Sequence, residues 1–228
     1  MTARAVFVTG TDTGVGKTVV ACALVRALVL SGARVTVMKP VASGAVRTPE
    51  GLRNADALAL IEASQVPLPY SLVNPYCFEP PLSPHIAARE ATIEVDTGLI
   101  AENMATLAGQ SDWVVIEGAG GWFAPISERQ TMADLACTLG IPCLLVVGLK
   151  LGCLNHAQLA RLAIALRGAS FAGWIASAVD PRMARLEENL ATLSRLLGEA
   201  PLEVLGHERE CERLVLSRAA ARLARELR

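Results

Sequence analysis

The stretch that most constrains this chain is Thr9-Gly10-Thr11-Asp12-Thr13-Gly14-Val15-Gly16-Lys17-Thr18. It lies between a short apolar run, Val6-Phe7-Val8, and a run from Lys17 to Ser31 in which apolar residues recur at helical spacing, so its glycines fall at a strand-to-helix turn. Such a turn can hold a phosphate. Glycines let successive backbone N–H groups curl around an anion, and the helix's first turn adds unpaired donors and the positive end of its dipole. Lys17 is then placed to reach terminal phosphates, and Thr18 to offer its hydroxyl to Mg²⁺. The strict motif wants a glycine at position 11, where this chain has Thr11; Gly10 is one residue early. The reading therefore leans on the flanking strand and helix. The bland alternative is a glycine-rich turn with an exposed lysine. Against it, Lys17, Lys39 and Lys150 are the only lysines beside eighteen arginines; a coding bias toward arginine explains the scarcity and makes each lysine a candidate for a place where a compact ammonium is needed.

A second apolar run, Arg34 to Met38, ends at Lys39-Pro40-Val41-Ala42-Ser43-Gly44. In open parallel sheets ligands bind at the carboxyl ends of strands, so Lys39 is expected to face the same crevice as Lys17, with Ser43 in the loop beyond. Arg47 to Arg53 reads as polar turn, and Asn54-Ala55-Asp56 as a capped helix start. Asp56 has two explanations that the sequence leaves open: a first-turn carboxylate favoured by the helix dipole, or a ligand of phosphate-bound Mg²⁺. Six prolines between Pro67 and Pro84 make that stretch a loop, and His85 opens a short helix with no partner at a spacing that suggests a nucleophilic dyad. A helix is expected from Asp96 to Gly109. Then Asp112 to Glu117 repeats the opening pattern: an apolar strand ending in a carboxylate and Gly118-Ala119-Gly120-Gly121, well placed for metal and nucleotide.

Further helices are expected at Thr131–Leu139, up to Arg167, at Arg182–Leu197 and through Glu208–Arg228, with strands at Cys143–Val147, Phe171–Val179 and Leu202–Leu205. Strand and helix thus alternate throughout. The expected fold is one α/β P-loop domain over residues 1–228, with a mostly parallel central sheet and helices on both faces. A net charge of −1 gives no basic field for nucleic acid or membrane, and the longest apolar run, near 141–149, is too short to span a bilayer. The six cysteines show no Cys-x-x-Cys pair, which suits reduced thiols in a cytoplasmic protein. Two lysines, a threonine and two carboxylates converging on one sheet edge are equipment for phosphoryl transfer, with no evident general base.

Four segments carry a closer resemblance. The phosphate loop, Lys39-Pro40-Val41-Ala42-Ser43-Gly44, Val115-Ile116-Glu117-Gly118-Ala119-Gly120-Gly121 and Lys150-Leu151-Gly152-Cys153-Leu154-Asn155-His156 resemble, in order, the signatures of the dethiobiotin synthetase family, as do Asn74-Pro75-Tyr76 and Ser83-Pro84-His85. The shifted Gly10 fits that family's spacing. The resemblance implies a cytoplasmic homodimer that converts 7,8-diaminopelargonate, CO₂ and MgATP to dethiobiotin through a carbamate, an anion that needs no general base. It implies that Lys17 and Lys39 stabilise the carbamate and the migrating phosphoryl group, and that Thr18, Asp56 and Glu117 hold Mg²⁺. Gly14, Val15, Gly16, Lys17, Thr18, Val19 and Glu117, Gly118, Ala119, Gly120 would cradle ATP. Thr13 and Ser43 would meet the diamine, and Gly152, Cys153 and Asn155 the substrate carboxylate across the dimer.

Ser177-Ala178 stand where the well-known form of the family has an Asn-Asp pair that reads adenine, so looser base specificity is expected. Two other readings remain: a switch ATPase of the partitioning or metal-insertion type, and a nucleotide-binding module without chemistry.

Overall fold

The computed structural model describes residues 3–207 and 216–227. It opens with β1 (Arg4–Gly10), α1 (Lys17–Leu30) and β2 (Val35–Met38), followed by shorter pieces: β3 (Val41–Ala42), β4 (Val46–Thr48), β5 (Gly51–Arg53), α2 (Ala55–Ser64), α3 (Tyr70–Val73), β6 (Tyr76–Cys77) and α4 (Pro84–Glu90). Regular alternation then resumes with α5 (Thr97–Ala108), β7 (Trp113–Glu117), α6 (Met132–Leu139), β8 (Cys143–Leu149), α7 (Cys153–Leu166), β9 (Phe171–Ala178), α8 (Leu186–Leu197), β10 (Glu203–Leu205) and α9 (Ser217–Glu226).

Six strands form one sheet in the order β10-β9-β8-β1-β7-β2, with every pair parallel. Side chains alternate across it. Val6 and Val8 of β1 join a core that takes in α1, α2 and α9, while Phe7 joins the core built with α5, α6, α7 and α8. With helices on both faces, a central strand must be apolar on both sides, which is why all seven residues of β8 are buried.

Register places the chemistry. β1 runs between β7 and β8, with Val8 beside Glu117 and Gly10 beside Val146. Met38 pairs with Ile116, so one residue further along, Lys39 and Glu117 leave the sheet side by side. Gly10 is explained by packing: a Cβ there would lie 2.7 Å from Val15 Cγ2 and 3.1 Å from the stem of Lys17.

Three local expectations are corrected. The polar stretch at 47–53 belongs to an antiparallel hairpin, Val46 opposite Arg53, whose turn is tied by the Thr48 hydroxyl donating to the Gly51 carbonyl. The helix expected from Arg182 starts at Leu186, because Asp180 Oδ1 accepts from the Arg182 N–H in a turn and Arg185 takes a left-handed backbone, φ 56°. The helical tail is observed only as α9; residues 208–215, with Cys211, lie outside the described residues. No helix among the described residues is long and apolar enough to cross a membrane.

Candidate active site

A cavity of about 710 Å³ opens at the carboxyl end of the sheet, a size suited to a small-molecule ligand. Its walls include Thr13, Gly14, Gly16, Lys17, Thr18 and Val19 from the phosphate loop, Lys39 and Ser43 after β2, Asp56 on α2, and Glu117, Ala119 and Gly120 after β7. The proline-rich loop supplies Pro81 to Pro84. Three separate strand ends thus converge on one space.

The loop has the backbone that anion binding requires. Gly14 and Gly16 have positive φ, 73° and 91°, and Gly16 is the residue from which α1 starts. No acidic side chain in the first turn of α1 competes for its dipole. Lys17 is 7% exposed and its Nζ donates to the Asp12 carbonyl at 2.8 Å. Burial, and then the charge of Lys39, brings its pKa down to about 8.

Beside it stands a buried ionic cluster. Lys39 Nζ lies 2.6 Å from Glu117 Oε1 and 2.9 Å from Asp56 Oδ2. The Thr18 hydroxyl donates to the same Oε1 at 2.8 Å. Burial works against the Lys39 charge, but Glu117 and Asp56 outweigh it and raise its pKa. For Glu117, 1% exposed, burial raises the pKa against the pull of Lys39. Burial also acts to raise Asp56, yet Lys39 brings it below the ordinary carboxylate range. Asp56 holds the first-turn position and also faces the cavity. Its N–H is capped by Asn54 Oδ1 in the first turn of α2, and its carboxylate belongs to the cluster.

Glu117 Oε2 is buried without a hydrogen-bond partner. An orphaned carboxylate oxygen, a second carboxylate and a hydroxyl form an all-oxygen set that fits a hard divalent cation. No group of three or more His, Cys, Asp or Glu among the described residues could hold a metal, so a cation here would draw its other ligands from phosphate and water, as Mg²⁺ does.

Some expected residues are not among those that line this cavity. Val15 is buried, wedged where any Cβ on Gly10 or Gly148 would come within 2.7 Å of it, and Gly118 is pressed against the Phe7 ring. Gly152, Cys153 and Asn155 sit at the start of α7 and do not line this cavity; Cys153 is buried and the other two are exposed. Ser177 and Ala178 are buried at the end of β9.

Sequence reasoning missed a supporting layer. Asn74 Nδ2 donates to the Lys39 carbonyl and to that of Tyr76, and the Lys39 N–H donates to the Val73 carbonyl. Tyr70 Oη accepts from the Asn54 N–H and donates to Asn74 Oδ1, while Asn54 Nδ2 donates to the Ser43 carbonyl. The proline-rich loop thereby holds the lysine, and the cap of α2 holds the serine loop. Lys150 Nζ meets Asp12 Oδ2 at 3.0 Å, joining the loop before α7 to the phosphate loop. Only the Asn-Pro-Tyr segment offered a signal for any of this.

Fold and site together define a P-loop nucleotide-binding protein whose charged groups suit phosphoryl transfer. Solved structures agree on the fold. The MinC:MinD cell division complex of Aquifex aeolicus aligns with TM-score 0.62 at 14% identity over 98% of this chain and 97% of that one. MinD of Pyrococcus horikoshii in complex with Mg-ADP gives 0.59 at 19%, over 98% and 95%. A family model described as an AAA domain matches residues 4–210. Sequence relatives are more specific. ATP-dependent dethiobiotin synthetase BioD 1 of Salmonella typhi is 51% identical over 200 residues, 86% of this chain and 88% of that one, and BioD of Pseudomonas aeruginosa strain UCBPP-PA14 is 46% identical over 220 residues, 96% and 95%. The chain belongs to the dethiobiotin synthetase family.

Proposed function

We propose that this chain is an ATP-dependent carbon–nitrogen ligase of biotin biosynthesis, closing the ureido ring of dethiobiotin from 7,8-diaminopelargonate and CO₂ with Mg²⁺ bound to the nucleotide. The observation that carries the reading is the Lys39–Asp56–Glu117 cluster facing Lys17 and Thr18 across one cavity. It supplies cationic and metal-holding groups for a transferring phosphoryl, in a chain whose relatives carry that enzyme's name.

One amine of the substrate takes up CO₂ as a carbamate. A carbamate oxygen attacks the γ-phosphorus and expels ADP, and the second amine then attacks the carbamoyl carbon and releases phosphate. Thr13 and Ser43 orient the diamine, and the backbone of Gly14 to Val19 with Glu117 to Gly120 cradles the nucleotide. Lys17 and Lys39 neutralise charge as it moves from the carbamate to the phosphoryl oxygens. Thr18, Asp56 and Glu117 would hold Mg²⁺, which when bound supplies further neutralisation of the phosphates. Gly152, Cys153 and Asn155, outside the cavity of their own chain, are assigned to the substrate carboxylate of a partner protomer in a cytoplasmic homodimer.

The solved MinD and ParA-family structures share the fold at 13–19% identity, which speaks to the fold alone. Incubation with diaminopelargonate, bicarbonate and MgATP, with mass detection of the cyclic urea, tests the reading. ATP hydrolysis indifferent to the diamine would favour a switch ATPase instead.

A further inference from the structure

The two carboxylates that fit a divalent cation are already in use. Lys39 Nζ bonds Glu117 Oε1 at 2.6 Å and Asp56 Oδ2 at 2.9 Å, and its side chain is only 5% exposed. Two of the ammonium's three donors are thus directed at carboxylates and its charge is balanced there, which leaves a single donor for phosphoryl oxygens. The other charged groups facing it leave no substitute. Lys17 is held back on the Asp12 carbonyl, and Asp12 is itself paired with Lys150.

The charges balance in two distinct ways. Lys17 and Lys39 together carry the opposite charge to Asp56 and Glu117, so the four side chains sum to zero. With Lys39 on the carboxylates, an incoming triphosphate meets Lys17 as the one ammonium of the four side chains that is not paired with a carboxylate, its bond being to the Asp12 carbonyl. With a divalent cation on the carboxylates, the same four side chains present two ammonium groups to the phosphates. Glu117 fits such an exchange. Its Oε1 takes the bonds from both Thr18 and Lys39, while its buried Oε2 has no partner, so a ligand site remains on the carboxylate even while Lys39 is bound.

We infer that Lys39 is a placeholder cation: it neutralises Asp56 and Glu117 until the metal that travels with the nucleotide takes those carboxylates, and only then turns to the transferring phosphoryl group. The lysine is thereby committed to the nucleotide only when metal and phosphate are both present. A metal-free nucleotide finds a site whose second lysine is still engaged. Asn74 keeps the exchange local, because its bond to the Lys39 carbonyl fixes the backbone while the side chain moves. The inference rests on the magnesium-nucleotide reading above.

Only three lysines are present in the chain, so protein labelled with ¹³Cε-lysine gives three ε-methylene NMR signals, each assigned by a single Lys→Arg substitution. The probes are a non-hydrolysable ATP analogue with EDTA and the same analogue with Mg²⁺. The expected result is that the Lys17 signal moves with the analogue in both conditions, whereas the Lys39 signal moves only when Mg²⁺ is present. A Lys39 signal that stays in place with Mg²⁺ and analogue while Lys17 moves overturns the exchange and leaves the nucleotide site standing; so does a Lys39 signal that moves equally in EDTA. If neither lysine responds to analogue with Mg²⁺, the nucleotide-site reading falls and the placeholder role falls with it.

Discussion

Asn74 donates a 2.6 Å hydrogen bond to the backbone carbonyl of Lys39 from a position 35 residues away. The bond is buried, and it makes a loop that looks like filler between elements into the support of the most constrained lysine in the site. The Asn74 side chain also reaches the Tyr76 carbonyl and accepts from Tyr70 Oη. Replacing Asn74 by Ala leaves two buried carbonyls without this donor, a loss of about 1–3 kcal/mol per unsatisfied group. The expected outcome is a lower urea midpoint together with a fall in kcat larger than any change in nucleotide Kd. Unchanged kcat in the folded variant would show that Lys39 is positioned without Asn74.

Lys39→Gln keeps a polar side chain but removes the charge. Loss of one pre-placed electrostatic donor costs roughly 10²–10³ in kcat, and Lys17 and the loop backbone remain to bind phosphate. Turnover is expected to drop by that order, with nucleotide Kd, measured by calorimetry, moving only a few-fold. Turnover near that of the parent protein would remove Lys39 from the chemistry.

The parallel sheet could be read from the sequence because strands covered on both faces must be apolar throughout, as Cys143–Leu149 is. The site could be read because Lys39 and Glu117 close apolar strand runs and Lys17 and Thr18 follow a glycine-rich turn. What could not be read depends on contacts distant in sequence. Nothing local to Tyr70 or Asn54 announces that they brace the loops of Lys39 and Ser43. Val15 and Gly118 carry the motif's spacing, yet their environment is set by Gly148 and by Phe7 on neighbouring strands. The hairpin at 46–53 pairs two short, partly exposed strands apart from the main sheet, so no apolar alternation marks it.

Lys17 gives a pH signature. Its pKa is lowered from 10.5 to about 8 by burial and by Lys39, so between those values the unfolded chain binds more protons than the native one. Its contribution to stability therefore rises with pH across that window. A bound triphosphate favours the charged lysine and reverses the shift. At pH 8 nucleotide binding is expected to take up roughly half a proton, visible as a dependence of the calorimetric enthalpy on buffer ionisation and absent in Lys17→Met. No uptake at pH 8 in the parent protein would contradict it.

Base discrimination is expected to be weak. Ser177 and Ala178 are 0% and 7% exposed and offer little to a base edge, and a site that does not hydrogen-bond a feature cannot strongly reject its absence. Turnover with ATP, CTP and GTP, compared as kcat/KM, should agree within about tenfold, below the 10⁴–10⁵ reached by sites that do bond the distinguishing group. A preference for ATP of several hundred-fold would show that other residues read the base.

The central claim is that the cations of this one cavity carry a phosphoryl group to a carbamate oxygen. Turnover with ¹⁸O-labelled bicarbonate and unlabelled ATP, stopped before the label exchanges with water, follows that oxygen directly. The account predicts that the released phosphate carries one ¹⁸O, transferred when the second amine closes the ring. Phosphate free of label, formed alongside labelled cyclic urea, would contradict it.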